Sequence, residues 1–149
     1  MRLIPAQSAD PREQRAAMSL DPLLTEPPVI QLHAFAAMGA ILLGSAQMAG
    51  VKGTARHRAL GWSWVVLMTV VVATSFFIHS LEQWGRWSWI HLLSVLTAVT
   101  LPPAILAARR GRRDAHARGM TSLFVFALVI TGVFTLWPGR VMHAVLFGG

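Results

Sequence analysis

Residues 90–134 read IHLLSVLTAVTLPPAILAARRGRRDAHARGMTSLFVFALVITGVF. Two uncharged apolar runs flank one loop that holds Arg109, Arg110, Arg112, Arg113 and Arg118. About 20 apolar residues, at ~1.5 Å of rise each, cross a bilayer's hydrocarbon core as a helix. The stretch therefore reads as a helical hairpin in a membrane, with its basic turn in the headgroup layer. Pro102 and Pro103 each remove a backbone donor, which predicts a kink near the end of the first of these two helices.

The same pattern occurs upstream. Four apolar segments are expected at Val29–Ala49, Leu60–Leu81, Trp87–Ala108 and Met120–Trp137. The fold class that follows is all-α: an integral membrane four-helix bundle. Short loops make consecutive helices antiparallel neighbours. Charged residues make up only 13% of the 149-residue chain, against a usual share of about 25%. The chain divides into a polar tail, 1–28, and a four-helix transmembrane domain, 29–149. The tail is rich in Pro and acid and reads as disordered or surface-lying. No apolar run follows its early arginines, so it does not read as a cleavable signal peptide. Met18 is a second potential start.

Charge sets the expected orientation. Net charge is +7, but eight of the thirteen cations lie in two short loops. These are Lys52, Arg56 and Arg58 in one, and the five arginines quoted above in the other. Membrane topology accounts for them, so nucleic acid is not expected as a partner. Positive-inside reasoning puts both loops in the cytoplasm of a bacterial cell and both termini in the periplasm. Trp84, Trp87, Trp89 and Trp137 then mark the outer interface, and Trp62 and Trp64 the inner one. Ala36, Ala40 and Gly44 recur every four residues and predict close helix contact.

The two halves look alike, which suggests tandem duplication of a two-helix hairpin. Lys52-Gly53 matches Arg110-Gly111, and His33, His57 and His79 match His91, His116 and His143. Repeats inserted in the same sense are related by an axis along the membrane normal.

With no cysteine in the chain, disulfides, thiolate metal sites and iron–sulfur clusters are excluded. Histidine is then the main candidate ligand. His33, His79, His91 and His143 all fall at the expected outer ends, with Glu82 three residues after His79 and able to share its helix face. Three readings of this set stand open. His33 and His91 can serve as the axial pair of a b-type haem, with His79 and His143 in support. His33, His79, His91 and Glu82 can instead hold zinc or copper. Or the histidines only hydrogen-bond at the interface. A second haem on His57 and His116 is not expected. A helix of that spacing places His57 ~36 Å from His33, beyond the ~30 Å apolar core. His57 and His116 read instead as loop residues. With Lys52, Arg56, Arg58, Arg109, Arg110, Arg112, Arg113 and Arg118 they form a surface for anionic lipid or a partner protein.

There is no G-x-G-x-x-G, Walker A or H-E-x-x-H motif. No acid lies mid-segment, which argues against a proton-coupled transporter. Ser75, Ser94, Thr97 and Thr100 lie in helices, where back-bonding to carbonyls accounts for them.

Several short motifs occur in a fixed order: Lys52-Gly53-Thr54 with Arg56-His57-Arg58 and Gly61-Trp62, Ser75-Phe76-Phe77-Ile78-His79, Ile90-His91-Leu92-Leu93-Ser94, and Pro138-Gly139-Arg140-Val141-Met142-His143. From His33 to the C-terminus the chain thus resembles a family of predicted bacterial membrane proteins, domain of unknown function 2306. The resemblance implies four helices in a bacterial membrane and assigns no role to any histidine. The expected function is a small membrane subunit of a respiratory or photosynthetic redox assembly, carrying haem or metal at its periplasmic side. The alternatives are a cofactor-free accessory protein packed on a larger membrane complex or lipid, and a zinc- or copper-dependent membrane enzyme.

Overall fold

A computed structural model describes residues 18–78 and 88–148. Its elements are α1 (Asp21–Leu24), α2 (Pro28–Ala49), α3 (Ala55–Ser75), α4 (Trp89–Arg109), α5 (Arg113–Ser122), a π-helical segment (Leu123–Ile130), α6 (Thr131–Thr135) and α7 (Val141–Phe147). No strand occurs among the described residues. The chain forms two compact units, Pro27–Val133 and a pairing of the N-terminal segment with residues 134–149.

The larger unit is the bundle. Four helical stretches of 20 to 23 residues are long and apolar enough to cross a membrane: Pro28–Ala49, Ala55–Ser75, Ile90–Arg109 and Arg113–Thr135. At most 33% of any span's apolar window is buried inside the protein. The remaining apolar faces require lipid around them, so the chain is a multi-pass membrane protein.

The helix limits depart from the apolar limits for local reasons. Pro28 occupies the first turn of α2, where its missing N–H costs nothing. α3 starts five residues before the apolar run, because the Thr54 hydroxyl caps it by accepting from His57 N–H at 3.0 Å. α5 likewise starts at Arg113, ahead of the apolar run. A helix continues into the headgroup layer wherever its backbone stays bonded, so apolarity marks the hydrocarbon and not the helix ends. α3 stops at Ser75, short of the expected Leu81. Phe77 N–H and Ile78 N–H close a tight turn on Thr74 O and Ser75 O. The shared helix face of His79 and Glu82 required α3 to run on, and both residues lie outside the described ones. Pro102 and Pro103 sit inside α4, which stays helical from Trp89 to Arg109.

The core joins α2, α3, α4 and the π segment through Ala40, Trp64, Met68, Leu101, Leu123 and Leu128. Trp64 was expected at the interface and is only 3% exposed. Its indole N–H donates to Ala40 O at 3.0 Å, a carbonyl reachable because Ala40 has almost no side chain. Trp62, at 51% exposure, does fit an interfacial place. The stripe Ala36, Ala40 and Gly44 is buried throughout, as its spacing predicts. The π segment was not foreseen. Its wider turn brings Leu123 and Leu128, five residues apart, onto the buried side. Thr131 Oγ1 also donates five residues back, to Phe126 O at 3.0 Å.

Both hairpin turns use a glycine at positive φ, Gly53 at 80° and Gly111 at 70°. The sequence repeat aligned these two positions. Each second helix of a hairpin carries its histidine near its start, His57 in α3 and His116 in α5.

The smaller unit is described by itself. Within it α1 packs on α7, with Leu23 and Val145 buried and Ser19 N–H donating to Val145 O at 3.1 Å. Residues 18–26 of the polar tail are therefore folded.

A Cβ on Gly44 falls 2.5 Å from two Phe124 ring atoms and 2.9 Å from Trp64 Nε1. Gly44→Ala should therefore cost about 1–3 kcal/mol through overpacking. Gly39→Ala meets only the tip of Leu67, at 3.2 Å, and should cost clearly less. Thermal unfolding of both variants in detergent checks the order.

Candidate functional site

Three helix ends meet where α3 stops. α2 contributes His33, α3 contributes Thr74, Ser75 and Phe76, and α4 contributes His91 and Ser94 behind its cap Ser88. Thr74 Oγ1 lies 2.7 Å from Val70 O and donates there, so its oxygen accepts from His33 Nδ1–H at 3.0 Å. That bond assigns the proton of neutral His33 to Nδ1 and the lone pair to Nε2. On the other flank Ser94 donates to Ile90 O at 2.8 Å, and its oxygen accepts from Ser75 at 2.6 Å. His91 is 3% exposed. Its Nδ1 lies 3.0 Å from Ser88 Oγ, and its ring tilts 53° to Phe76 at 6.3 Å between centroids. The end of α3 thus carries a polar layer with one imidazole on each side.

Back-bonding, the expected role of Ser75, Ser94, Thr97 and Thr100, is present at Ser94, Thr97 and Thr100, and the single hydroxyl proton of Ser75 is shared between Val72 O and Ser94 Oγ, each 2.6 Å away. It does not account for Ser75, which also reaches Ser94 across the helix interface. Thr74 was not singled out by sequence. It stands 41 positions from His33, and only the antiparallel pairing of α2 and α3 joins them.

The expected ligand set is brought together only in part. His33 and His91 flank the same helix end, whereas His79 and Glu82 fall outside the described residues. His143 belongs to the smaller unit, where its Nδ1–H donates to Leu136 O at 2.8 Å and its ring meets Phe147 at 5.0 Å. Among the described residues no three His, Cys, Asp or Glu side chains gather closely enough to hold a metal ion.

The opposite end of the bundle is basic. Lys52 Nζ donates to Gln47 O, Met48 O and Gly50 O at 3.0, 2.6 and 2.8 Å, closing the C-terminus of α2. Arg58 donates to Gly53 O at 3.1 Å. The Arg109 guanidinium lies over the Trp62 ring, 5.6 Å from its centre. His57 and His116 are in the first turns of helices, not in loops. His116 Nδ1–H donates to Ala104 O at 2.9 Å, and Gln47 donates to His57 O at 2.7 Å. The His116 ring and the His57 backbone carbonyl therefore help hold the hairpin ends together. Arg56, Arg110, Arg112, Arg113 and Arg118 are exposed.

Grooves open on the bundle surface among the described residues. One of ~410 Å³ is lined by Arg118, Thr121 and Phe126 among others. Another, of ~230 Å³, lies between α4 and the π segment, with Thr97, Thr100 and Phe126 in its wall. Neither is lined by His33 or His91.

Comparison with protein-family models, with curated proteins and with solved structures found no match to this chain.

A hydroxyl-to-hydroxyl bond between membrane helices typically couples by about 0.6 kcal/mol. A double-mutant cycle of Ser75→Ala and Ser94→Ala should return a coupling of that order, read from unfolding in detergent. Strict additivity would show that the 2.6 Å contact contributes nothing to stability.

Proposed function

We propose that this chain is a small integral membrane subunit of a redox assembly, and that His33 and His91 are where it holds a b-type haem or a metal ion. The observation that carries the reading is the His33–Thr74 bond. It anchors Nδ1 and leaves Nε2 as the ligating nitrogen, the arrangement that metal-binding imidazoles use. His91 is held at Nδ1 by Ser88 in a similar way. Both imidazoles flank the end of α3, at one end of the bundle. Haem iron takes two neutral imidazoles, and when bound it supplies one-electron chemistry. In this reading the protein lies in a bacterial cytoplasmic membrane, with the basic turns inside and both termini in the periplasm.

A second reading is an accessory subunit that packs on a larger membrane complex. Its support is the apolar, largely unburied face of α4, where Leu92, Leu96 and Val99 are each more than half exposed. Lipid or a partner helix would cover that face.

The deciding measurement is a reduced-minus-oxidised absorption spectrum of the chain purified in mild detergent, paired with metal analysis. A b-type band that disappears in His33→Ala and His91→Ala is expected. Thr74→Val should weaken binding by about 10–100-fold, because it removes only the orienting hydroxyl. A flat spectrum without stoichiometric metal would sink the redox reading. Recovery of a large membrane complex with the cofactor-free chain would then support the accessory one.

A further inference from the structure

The basic end of the bundle looks uniform in sequence and is not uniform in structure. In the α2–α3 loop, Lys52 is bound to three carbonyls and Arg58 to a fourth, which leaves Arg56 as the single cation facing outward there. Lys52 and Arg58 close their own backbone. The α4–α5 turn is different. Its backbone is fixed by Arg112 N–H on Ala107 O at 2.9 Å and Gly111 N–H on Ala108 O at 3.1 Å. Its side chains Arg110, Arg112 and Arg113 are all exposed, and none has a hydrogen bond or ion pair among the described residues. Asp114, the one acid beside them, is also exposed and unpaired there. A rigid turn thus presents three guanidiniums with no internal anion to satisfy them.

We propose that the α4–α5 turn is a phosphate site for anionic lipid headgroups, gripped by Arg110, Arg112 and Arg113, and that the α2–α3 loop is not. The guanidinium fork matches phosphate oxygens in a bidentate way that an ammonium does not. The turn joins the ends of two membrane spans, which places it at headgroup depth. Next to it Arg109 lies over the half-exposed Trp62, an aromatic suited to that same layer. Cations at this depth are drawn to anionic lipid. This inference stands apart from the redox reading and does not need a cofactor.

The test uses the full chain in a nonionic detergent, with its melting temperature followed as phosphatidylglycerol or phosphatidylcholine is added. Phosphatidylglycerol is expected to raise the melting temperature and phosphatidylcholine is not. Each cation should contribute about fivefold to binding at an anionic surface. The triple variant Arg110→Gln, Arg112→Gln, Arg113→Gln should then weaken the apparent affinity for phosphatidylglycerol by about a hundredfold. The corresponding triple lysine variant should keep part of it. Lys52→Gln should lower the melting temperature in both lipids alike and leave the difference between them unchanged. Equal shifts with the two lipids, or a phosphatidylglycerol shift that survives the triple glutamine variant, would overturn the proposal. A shift lost in Lys52→Gln alone would also overturn it, since it moves the site to the other loop. Inorganic phosphate that reproduces the whole shift would replace a lipid by a free anion. A shift produced only by an acidic peptide would replace it by a protein.

Discussion

The bundle turns on the bond from the Trp64 indole N–H to the Ala40 carbonyl, 3.0 Å long and buried between α2 and α3. A side-chain donor inside hydrocarbon must find a partner, because no water is there to offer one. The partner is a backbone carbonyl, so α2 must present a surface bare enough for an indole to reach it. Ala40 and Gly44 supply that surface. The Phe124 ring then fills the space beside Gly44 and ties the π segment to the first hairpin. Small residues on one helix and two large rings on its neighbours form a single interlocked contact. Register between the hairpins follows from it.

With register set, the bundle has two chemically different ends. At one end, hydroxyls on α3 and α4 bond across helices and to imidazoles, and the charges in the described residues are few. At the other end, guanidiniums, an ammonium and two histidines close helix termini or face outward. The ends also differ in what satisfies their polar groups. Ser75, Thr74 and Ser94 bond within the protein, as groups near hydrocarbon must. The arginines of the α4–α5 turn do not, which is tolerable only where water or lipid phosphate is at hand. The same chain thus passes from one regime of hydrogen bonding to the other along ~30 Å of helix.

The paired glycines at positive φ bear on the origin of the fold. Gly53 and Gly111 occupy matching turns of the two hairpins, and His57 and His116 follow at matching places. The halves then part ways. The second hairpin has two prolines in its first helix and an eight-residue π segment in its second, neither of which has a counterpart in the first.

Length, apolarity and the absence of charge within each run were enough to determine four membrane-crossing helices, because hydrocarbon admits few other sequences. The small-residue stripe in α2 was legible for a related reason, since close approach needs missing side chains at one helical spacing. The candidate site was legible only as residue types. His33 and His91 stood out as histidines at apolar helix starts. That His33 meets Thr74, or that Ser75 meets Ser94, depends on which helices are neighbours and at what register, and no local pattern encodes either. Trp64 shows the limit most plainly. Its position in the chain matches an interfacial tryptophan, yet it is core. The deciding fact is a bare carbonyl on another helix, 24 residues away. Helix ends were misplaced at α3 and α5 because capping and backbone bonding set them, while composition reports only where hydrocarbon begins. Which cations are engaged and which face outward was decided by the folded backbone rather than by composition, because the carbonyls that Lys52 and Arg58 reach lie within five residues of them and are presented only where α2 has ended in a turn.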